Sequence, residues 1–260
     1  MAQVLEQQGV VYSNKAYTDR LWVMEIDVDQ IGQQVLPGQF IHVKIPGMEG
    51  HILRRPFSVY YTCEEGARIG VLYQVVGFGS AHMTTLEPGE TLSVMGPIGH
   101  GWSIPENTSS ALLVAGGVGG APLFMHAQEL VAQGVDVDVV LGAQSADALV
   151  VEPRYAQLLG RDPMIATDDG SRGHAGFCTD LVAHKIAERS YDYVACCGPE
   201  PMMKIVSEMT LAAGIPTWIS LEKRMACGVG ACLSCIVETT AGRKRSCIDG
   251  PIFDASEVLW

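Results

Sequence analysis

The chain has 260 residues, 48% of them hydrophobic and 18% charged, which exceeds one minimal domain and rules out a disordered composition. Seventeen Lys and Arg against 29 Asp and Glu give a net charge of −12, and so acidic a surface repels the phosphates of nucleic acid. No stretch reaches the roughly 18 apolar residues of a spanning helix. The opening Met-Ala-Gln-Val-Leu-Glu carries neither the basic nor the apolar region of a secretion signal, so a cytoplasmic protein that binds neither nucleic acid nor membrane is expected.

Residues 1–103 read as an antiparallel β-barrel. Leu21 to Val28 is rich in β-formers, and Gln39 to Ile45 alternates apolar and polar residues as a half-buried strand does. Pro37-Gly38, Pro46-Gly47 and Pro88-Gly89 punctuate the strands as turns, and one short helix is expected near Ala81 to Leu86. Residues 104–220 read as a doubly wound α/β domain. Ala111 to Ala115 is a continuous apolar run, the mark of a strand buried on both faces. Strand–helix pairs then follow: a helix over Pro122 to Gln133, a strand over Val135 to Leu141, a strand over Met164 to Ala166 and a helix over Leu181 to Glu188. Tyr193 to Cys196, Pro201 to Ala213 and Thr217 to Ser220 complete the alternation as strand, helix and strand. Residues 221–260 form a short tail rich in Cys and Gly.

Four of the eight cysteines lie in that tail, as Cys227-x4-Cys232-x2-Cys235-x11-Cys247. A [2Fe–2S] cluster needs four thiolates converging on two irons, and C-x4-C-x2-C…C is the plant-type ferredoxin spacing. Gly228 and Gly230 fall where the loop must wrap tightly and aim N–H groups at sulfur. Structural zinc, the alternative, usually takes two separated C-x2-C pairs. The remaining Cys63, Cys178, Cys196 and Cys197 show no ligand spacing.

Three segments of the barrel bear on a second cofactor. Arg55, Pro56, Phe57 and Ser58 offer a cation for pyrophosphate, a ring to pack and a hydroxyl to bond, although an exposed Arg beside a core Phe explains the same residues. Leu72, Tyr73 and Gln74 lead into Gly79 and Ser80, a turn that opens a helix, and Gly96-Pro97-Ile98-Gly99 closes the barrel. In this order the pieces resemble the ferredoxin–NADP⁺ reductase superfamily. The resemblance implies FAD held by the Arg55–Ser58, Leu72–Gln74 and Gly79–Ser80 segments, with Ser80 where Thr is commoner.

In the α/β domain, Gly116, Gly117, Gly119 and Gly120 follow the buried strand and open a helix, the context of a pyrophosphate turn outside the strict G-x-G-x-x-G spacing. Asp169, in Thr167 to Ser171, and Cys197-Gly198, in Cys197 to Met202, lie at later strand ends; both segments resemble those that hold nicotinamide in the superfamily. Gly142-Ala143-Gln144-Ser145 offers no Arg or Lys to a 2′-phosphate, which favours NAD over NADP. Asp136 and Asp138 stand at a strand's start and are given no ribose role.

Ser220 to Cys232 and Cys247 to Phe253 narrow the resemblance to one branch, the electron-transfer subunits of NAD-dependent (type B) dihydroorotate dehydrogenases. That branch implies a relay in pyrimidine biosynthesis. A separate FMN-containing catalytic subunit oxidises dihydroorotate, and electrons pass through a [2Fe–2S] cluster on Cys227, Cys232, Cys235 and Cys247 to FAD and then to NAD⁺. A heterotetramer with two of each chain is implied, and no acid–base catalytic residue. A sibling reading is the small subunit of a ferredoxin-linked or transhydrogenase-type NAD(P)H reductase; a non-redox module with a zinc tail belongs to a different class. Between Leu221 and Gly250, Lys223, Arg224, Arg243, Lys244 and Arg245 outnumber Glu222, Glu238 and Asp249, so the tail is locally basic, as docking of an acidic face or an ordinary solvated hairpin both allow.

Overall fold

A computed structural model describes residues 3–48 and 50–260 of the chain, which divides into two compact units. The first unit holds the residues up to Gly101 together with Glu222–Val237 and Arg243–Pro251. Its strands are β1 (Leu5–Ala16), β2 (Leu21–Asp27), β3 (Phe40–Lys44), β4 (Arg55–Ser58), β5 (Tyr61–Cys63), β6 (Arg68–Gln74) and β7 (Thr91–Ile98), with helices α1 (Asp29–Gly32) and α2 (Phe78–Met83). They form one antiparallel sheet in the order β4-β3-β7-β1-β2-β6-β5. The sheet curls into a half-barrel around Met24, Ile26, Ile41, Val43, Ile69, Val71 and Val94, all fully buried. Curling brings β4 against β6, where the Phe57 ring meets Tyr73 edge-on with centroids 6.0 Å apart.

The second unit, Trp102–Leu221 with Glu238–Gly242 and Ile252–Trp260, carries the parallel sheet. Its elements are β8 (Ser110–Gly116), α3 (Gly120–Ala132), β9 (Asp136–Ala143), α4 (Glu152–Leu159), β10 (Met164–Thr167), β11 (His174–Ala175), α5 (Cys178–Glu188), β12 (Tyr193–Cys197), α6 (Glu200–Ala212) and β13 (Thr217–Ser220). In the tail, β14 (Ile236–Thr239) and β15 (Gly242–Arg245) make a two-stranded ribbon, and β16 (Ile252–Asp254) follows. The sheet order is β11-β10-β9-β8-β12-β13-β16, with β16 alone antiparallel, on β13. Leu112, Leu113 and Val114 of β8 are fully buried, as a central strand covered on both faces requires. Among the described residues no helix is long and apolar enough to cross a membrane.

The structure corrects several local expectations. The stretch around β3 is not half exposed: Phe40, Ile41, His42 and Val43 are all buried, because the strand lies between β4 and β7 under further chain. The short helix begins at Phe78 and ends at Met83, earlier than expected. Helix α4 had no counterpart in the sequence reading, since Tyr155 is its one buried residue and Pro153 reads as a breaker. A proline in the first turn is tolerated, and Gly160 ends the helix in the left-handed region at φ 64°. The last strand, β16, was also unforeseen.

Candidate functional site

The cysteine loop belongs to the first unit. Its four cysteines stand two and two: Cys235 Sγ lies 3.4 Å from Cys247 Sγ, and Cys227 Sγ lies 3.4 Å from the backbone N of Cys232. The backbone N–H groups of Val229 and Cys232 donate to Cys227 Sγ at 3.5 and 3.4 Å. Gly228 and Gly230 have φ of 71° and 76°, and a Cβ on either would run into His42 or Ile248. Cys235 and Cys247 are buried against Phe40 and Ile98, whereas Cys232 is exposed. The hydroxyl and N–H of Ser234 pull the Cys232 thiol down to about 6, and burial followed by the adjoining Cys235 pushes Cys247 up to about 12, so iron ligation at Cys247 would have to displace a proton. Among the described residues no three His, Cys, Asp or Glu side chains are grouped to hold a metal ion. Paired cysteines with N–H groups aimed at sulfur fit two irons with two ligands each. The Arg245 guanidinium grips Asp249 at 3.0 Å and closes the loop near Gly230, so this member of the basic set is engaged within the chain.

The flavin-type residues are brought together by the curl of the same sheet. Strand alternation separates two neighbouring arginines. Arg54 is bound to Glu6 at 2.6 Å and to Ser93 at 2.9 Å, whereas Arg55 donates to the Leu53 carbonyl and packs against Gly79, where a Cβ would fall 2.9 Å from its Nε. Phe57 and Ser58 are half-buried and Pro56 is exposed. The Ser58 hydroxyl donates to Glu222 Oε1 at 2.9 Å. Leu72 and Tyr73 are core side chains, Tyr73 donating to Asn14 at 3.0 Å, and Gln74 is half-buried. The Ser80 hydroxyl is engaged in its own turn, accepting from Val76 N at 2.9 Å and Gly77 N at 3.1 Å and donating to the Gly77 carbonyl at 3.0 Å.

In the second unit, the carboxyl ends of the parallel strands gather the nucleotide-type residues. Registers set Thr167 beside Ala143, Gly142 beside Gly116, and Ala115 beside Cys197. Gly119 and Gly198 sit in close backbone approaches: a Cβ on Gly119 would lie 2.4 Å from the Cys197 carbonyl oxygen, and one on Gly198 would lie 2.9 Å from Gly116. Gly117 opens outward, with nothing within 4 Å of the space a Cβ would take. Tyr155, fully buried, donates its hydroxyl to the Gly120 carbonyl at 2.8 Å and braces the turn from α4. Asp169 lies on the exposed loop after β10, accepts from Ser171 N and Oγ at 2.9 and 2.6 Å, and is held below its usual range by those bonds. Asp136 and Asp138 lie at the opposite ends of the strands, where they pair with Arg161 and Arg189, and Asp138 accepts from the Tyr191 hydroxyl.

Curated relatives match the chain over nearly its whole length. The dihydroorotate dehydrogenase B (NAD(+)) electron transfer subunit of Desulforamulus reducens is 37% identical over 243 residues, 92% of each chain. That of Geobacillus thermodenitrificans is 36% identical over 97% of this chain and 98% of its own. The chain belongs to the dihydroorotate dehydrogenase B electron transfer subunits. Residues 222–259 match the model of the iron-sulfur cluster binding domain of dihydroorotate dehydrogenase B, and residues 113–208 that of the oxidoreductase NAD-binding domain. Among solved structures, that of the NADH-dependent reduced ferredoxin-NADP oxidoreductase superposes with a TM-score of 0.88 at 30% identity, covering 97% of this chain and 90% of that one. A ferredoxin NADP+ reductase from Neisseria gonorrhoeae shares the fold alone, at 18% identity and a TM-score of 0.68, over 80% of this chain and 92% of its own.

Glu222, Tyr155 and His42, which no motif singles out, lie against the segments that the sequence marks: Glu222 on Ser58, Tyr155 on Gly120 and His42 beside Gly228. Glu222 touches Ser58 across 164 residues of sequence, and no local spacing signals that contact.

Proposed function

We propose that the chain passes electrons from an FMN-containing dihydroorotate dehydrogenase subunit to NAD⁺, as one of two copies in a heterotetramer with two catalytic chains. Three cofactor territories are assigned: residues 1–103 to FAD, 104–220 to NAD and 221–260 to a [2Fe–2S] cluster. When bound, the cluster and the flavin supply the electron chemistry, taking electrons one at a time and delivering them in pairs. The protein supplies placement. Cys227, Cys232, Cys235 and Cys247 hold the cluster, with the Val229 and Cys232 N–H groups bonding its thiolate side. Arg55, Pro56, Phe57, Ser58, Leu72, Tyr73, Gln74, Gly79 and Ser80 hold FAD, with Arg55 meeting its pyrophosphate and Ser58 its reactive edge. Gly116, Gly117, Gly119, Gly120, Asp169, Cys197 and Gly198 hold NAD at the strand ends. No acid–base side chain is assigned, because the cofactors carry the reaction.

The observation that supports this reading most is the two-and-two arrangement of the cysteines in a chain related along its whole length to these subunits. Exposed Cys232, flanked by Val229 and Leu233 at 47% and 60% exposure, supports docking of a partner over the cluster. A cytoplasmic location follows from this role. The similarity to the NADH-dependent reduced ferredoxin-NADP oxidoreductase favours a second reading, a reductase subunit with the same cofactors and another partner.

The test is anaerobic. The chain is purified with its co-expressed catalytic subunit, its spectrum is recorded, and dihydroorotate and then NAD⁺ are added. Bleaching by dihydroorotate, with recovery and NADH formation on NAD⁺, is expected. Bleaching by NADH but not by dihydroorotate turns the assignment to the reductase reading, and a spectrum without flavin or iron overturns both.

A further inference from the structure

His42 is fully buried in the first unit, and among the described residues neither ring nitrogen has a hydrogen-bond partner. A polar group left unsatisfied in a core is destabilising, and burial keeps this imidazole neutral, so one nitrogen carries a donor and the other a lone pair. A phenylalanine would fill the same space without that cost.

Its position points to the missing partner. His42 is paired with Pro56 of β4 on one side and Met95 of β7 on the other. Residues two apart on a strand share a face, and Phe40, with its ring 5.7 Å from that of His42, packs on Cys235 and Cys247. Above the imidazole lies the loop that joins the first two cysteines: a Cβ on Gly228 would stand 2.9 Å from His42 Nδ1 and Cε1. The ring therefore occupies the floor beneath Cys227–Cys232, where Val229 and Cys232 already present N–H groups to Cys227 Sγ.

We propose that His42 is a positioning residue for the iron–sulfur cluster, its ring N–H serving as a buried hydrogen-bond donor to the cluster's sulfur ligands. This rests on the assignment of the four cysteines above. Reduction adds negative charge to the sulfurs, so a donor fixed in a water-free floor stabilises the reduced form and raises the reduction potential. The site thus gains a donor contributed by the flavin-carrying sheet in addition to those of the cysteine loop itself.

The experiment uses the full chain with its catalytic subunit and all cofactors, carrying isotopically labelled histidine. Pulsed paramagnetic resonance of the reduced cluster is expected to show coupling to a histidine side-chain nitrogen. In His42→Phe the coupling disappears while iron, sulfide and flavin contents stay the same. The one-electron reduction equilibrium falls about tenfold, about 59 mV, and His42→Gln, which keeps a donor, recovers part of the shift. A reduced cluster without histidine coupling, or His42→Phe with an unchanged potential, overturns the proposal and leaves the cysteine assignment standing. A wild-type protein without any cluster signal overturns both. Should His42→Phe not accumulate as folded protein, the wild-type coupling and the His42→Gln potential decide the matter.

Discussion

The Ser58 hydroxyl donates to Glu222 Oε1 at 2.9 Å, tying the strand that carries the flavin-type motif to the residue at which the iron–sulfur segment begins. A hydroxyl held by a carboxylate has its hydrogen pointed at that carboxylate and its lone pairs turned elsewhere. Hydrogen bonds to a charged group contribute roughly 1.5–3 kcal/mol. Glu222→Gln keeps the side-chain size and removes the charge. Rapid-mixing measurement of flavin reduction by NADH is expected to slow by about tenfold, corresponding to ~1.4 kcal/mol, with flavin content unchanged. An unchanged rate would detach the pair from the flavin site.

Gly228→Ala places a methyl group into the His42 ring at 2.9 Å from a backbone at φ 71°. Strain and overlap act on the same turn, each at about 1–3 kcal/mol. Purified protein should hold less iron and sulfide per chain than wild type while keeping its flavin. Full cluster occupancy in this variant would show that the loop relaxes freely.

The cysteines divide by place: Cys235 stands against Cys247 in the first unit, whereas Cys178 and Cys196 lie in the second. Burial pushes Cys178 up to about 11 and Cys196 well above its ordinary value, and among the described residues no neighbouring set of thiols offers either a shared ion. Cys235→Ser is expected to abolish the cluster absorbance and Cys178→Ser to leave it intact, as iron analysis of the two variants side by side would establish.

Tyr155→Phe removes the hydroxyl that satisfies the Gly120 carbonyl. The cost expected for an unsatisfied buried acceptor is about 1–3 kcal/mol, and melting falls by about 2–4 °C per kcal/mol in a chain of this size. The loosened turn also raises KM for NADH severalfold without altering cluster content. Calorimetry and steady-state assays on the same preparation separate the two effects.

Asp192 receives the N–H and hydroxyl groups of Ser109 and Ser110 at 2.7 to 3.0 Å, and these bonds hold its carboxyl down to about 2, against 3.8 ordinarily. The folded state therefore favours the ionised form. Its stabilisation is fully present above 3.8 and is lost as the pH falls toward 2. The group is exposed, so screening keeps the effect small. In urea titrations, Asp192→Asn should be less stable than wild type near neutrality, and the gap should close as the pH falls through that window.

What the sequence could disclose was local. The spacing of four cysteines and the glycines after an apolar run lie within short stretches, and the strand–helix alternation of the second unit follows from burial on both faces of its sheet. Contacts between distant segments were not legible. His42 sits in a stretch that alternates like a half-exposed strand, yet it is fully buried, with the loop around Gly228 among the distant segments that reach it. The motif marks Ser80 by its place, but the bonds by which its oxygen caps its own turn are not announced by the spacing. Helix α4 escaped because one buried residue in eight leaves almost no periodic trace.

The course of the tail carries a lesson for engineering. The chain leaves the second unit after Leu221, supplies the cysteine loop to the first, and returns so that Ile252–Asp254 pairs with β13. A strand edge left bare invites mispairing, so a shortened protein ending at Pro251 would expose β13 as a sticky border. The iron-binding stretch is consequently not a cassette that can be cut out and grafted onto a foreign reductase. A working chimera must exchange the stretch together with its landing strand, and a screen of crossover points should recover function only where both travel as one piece.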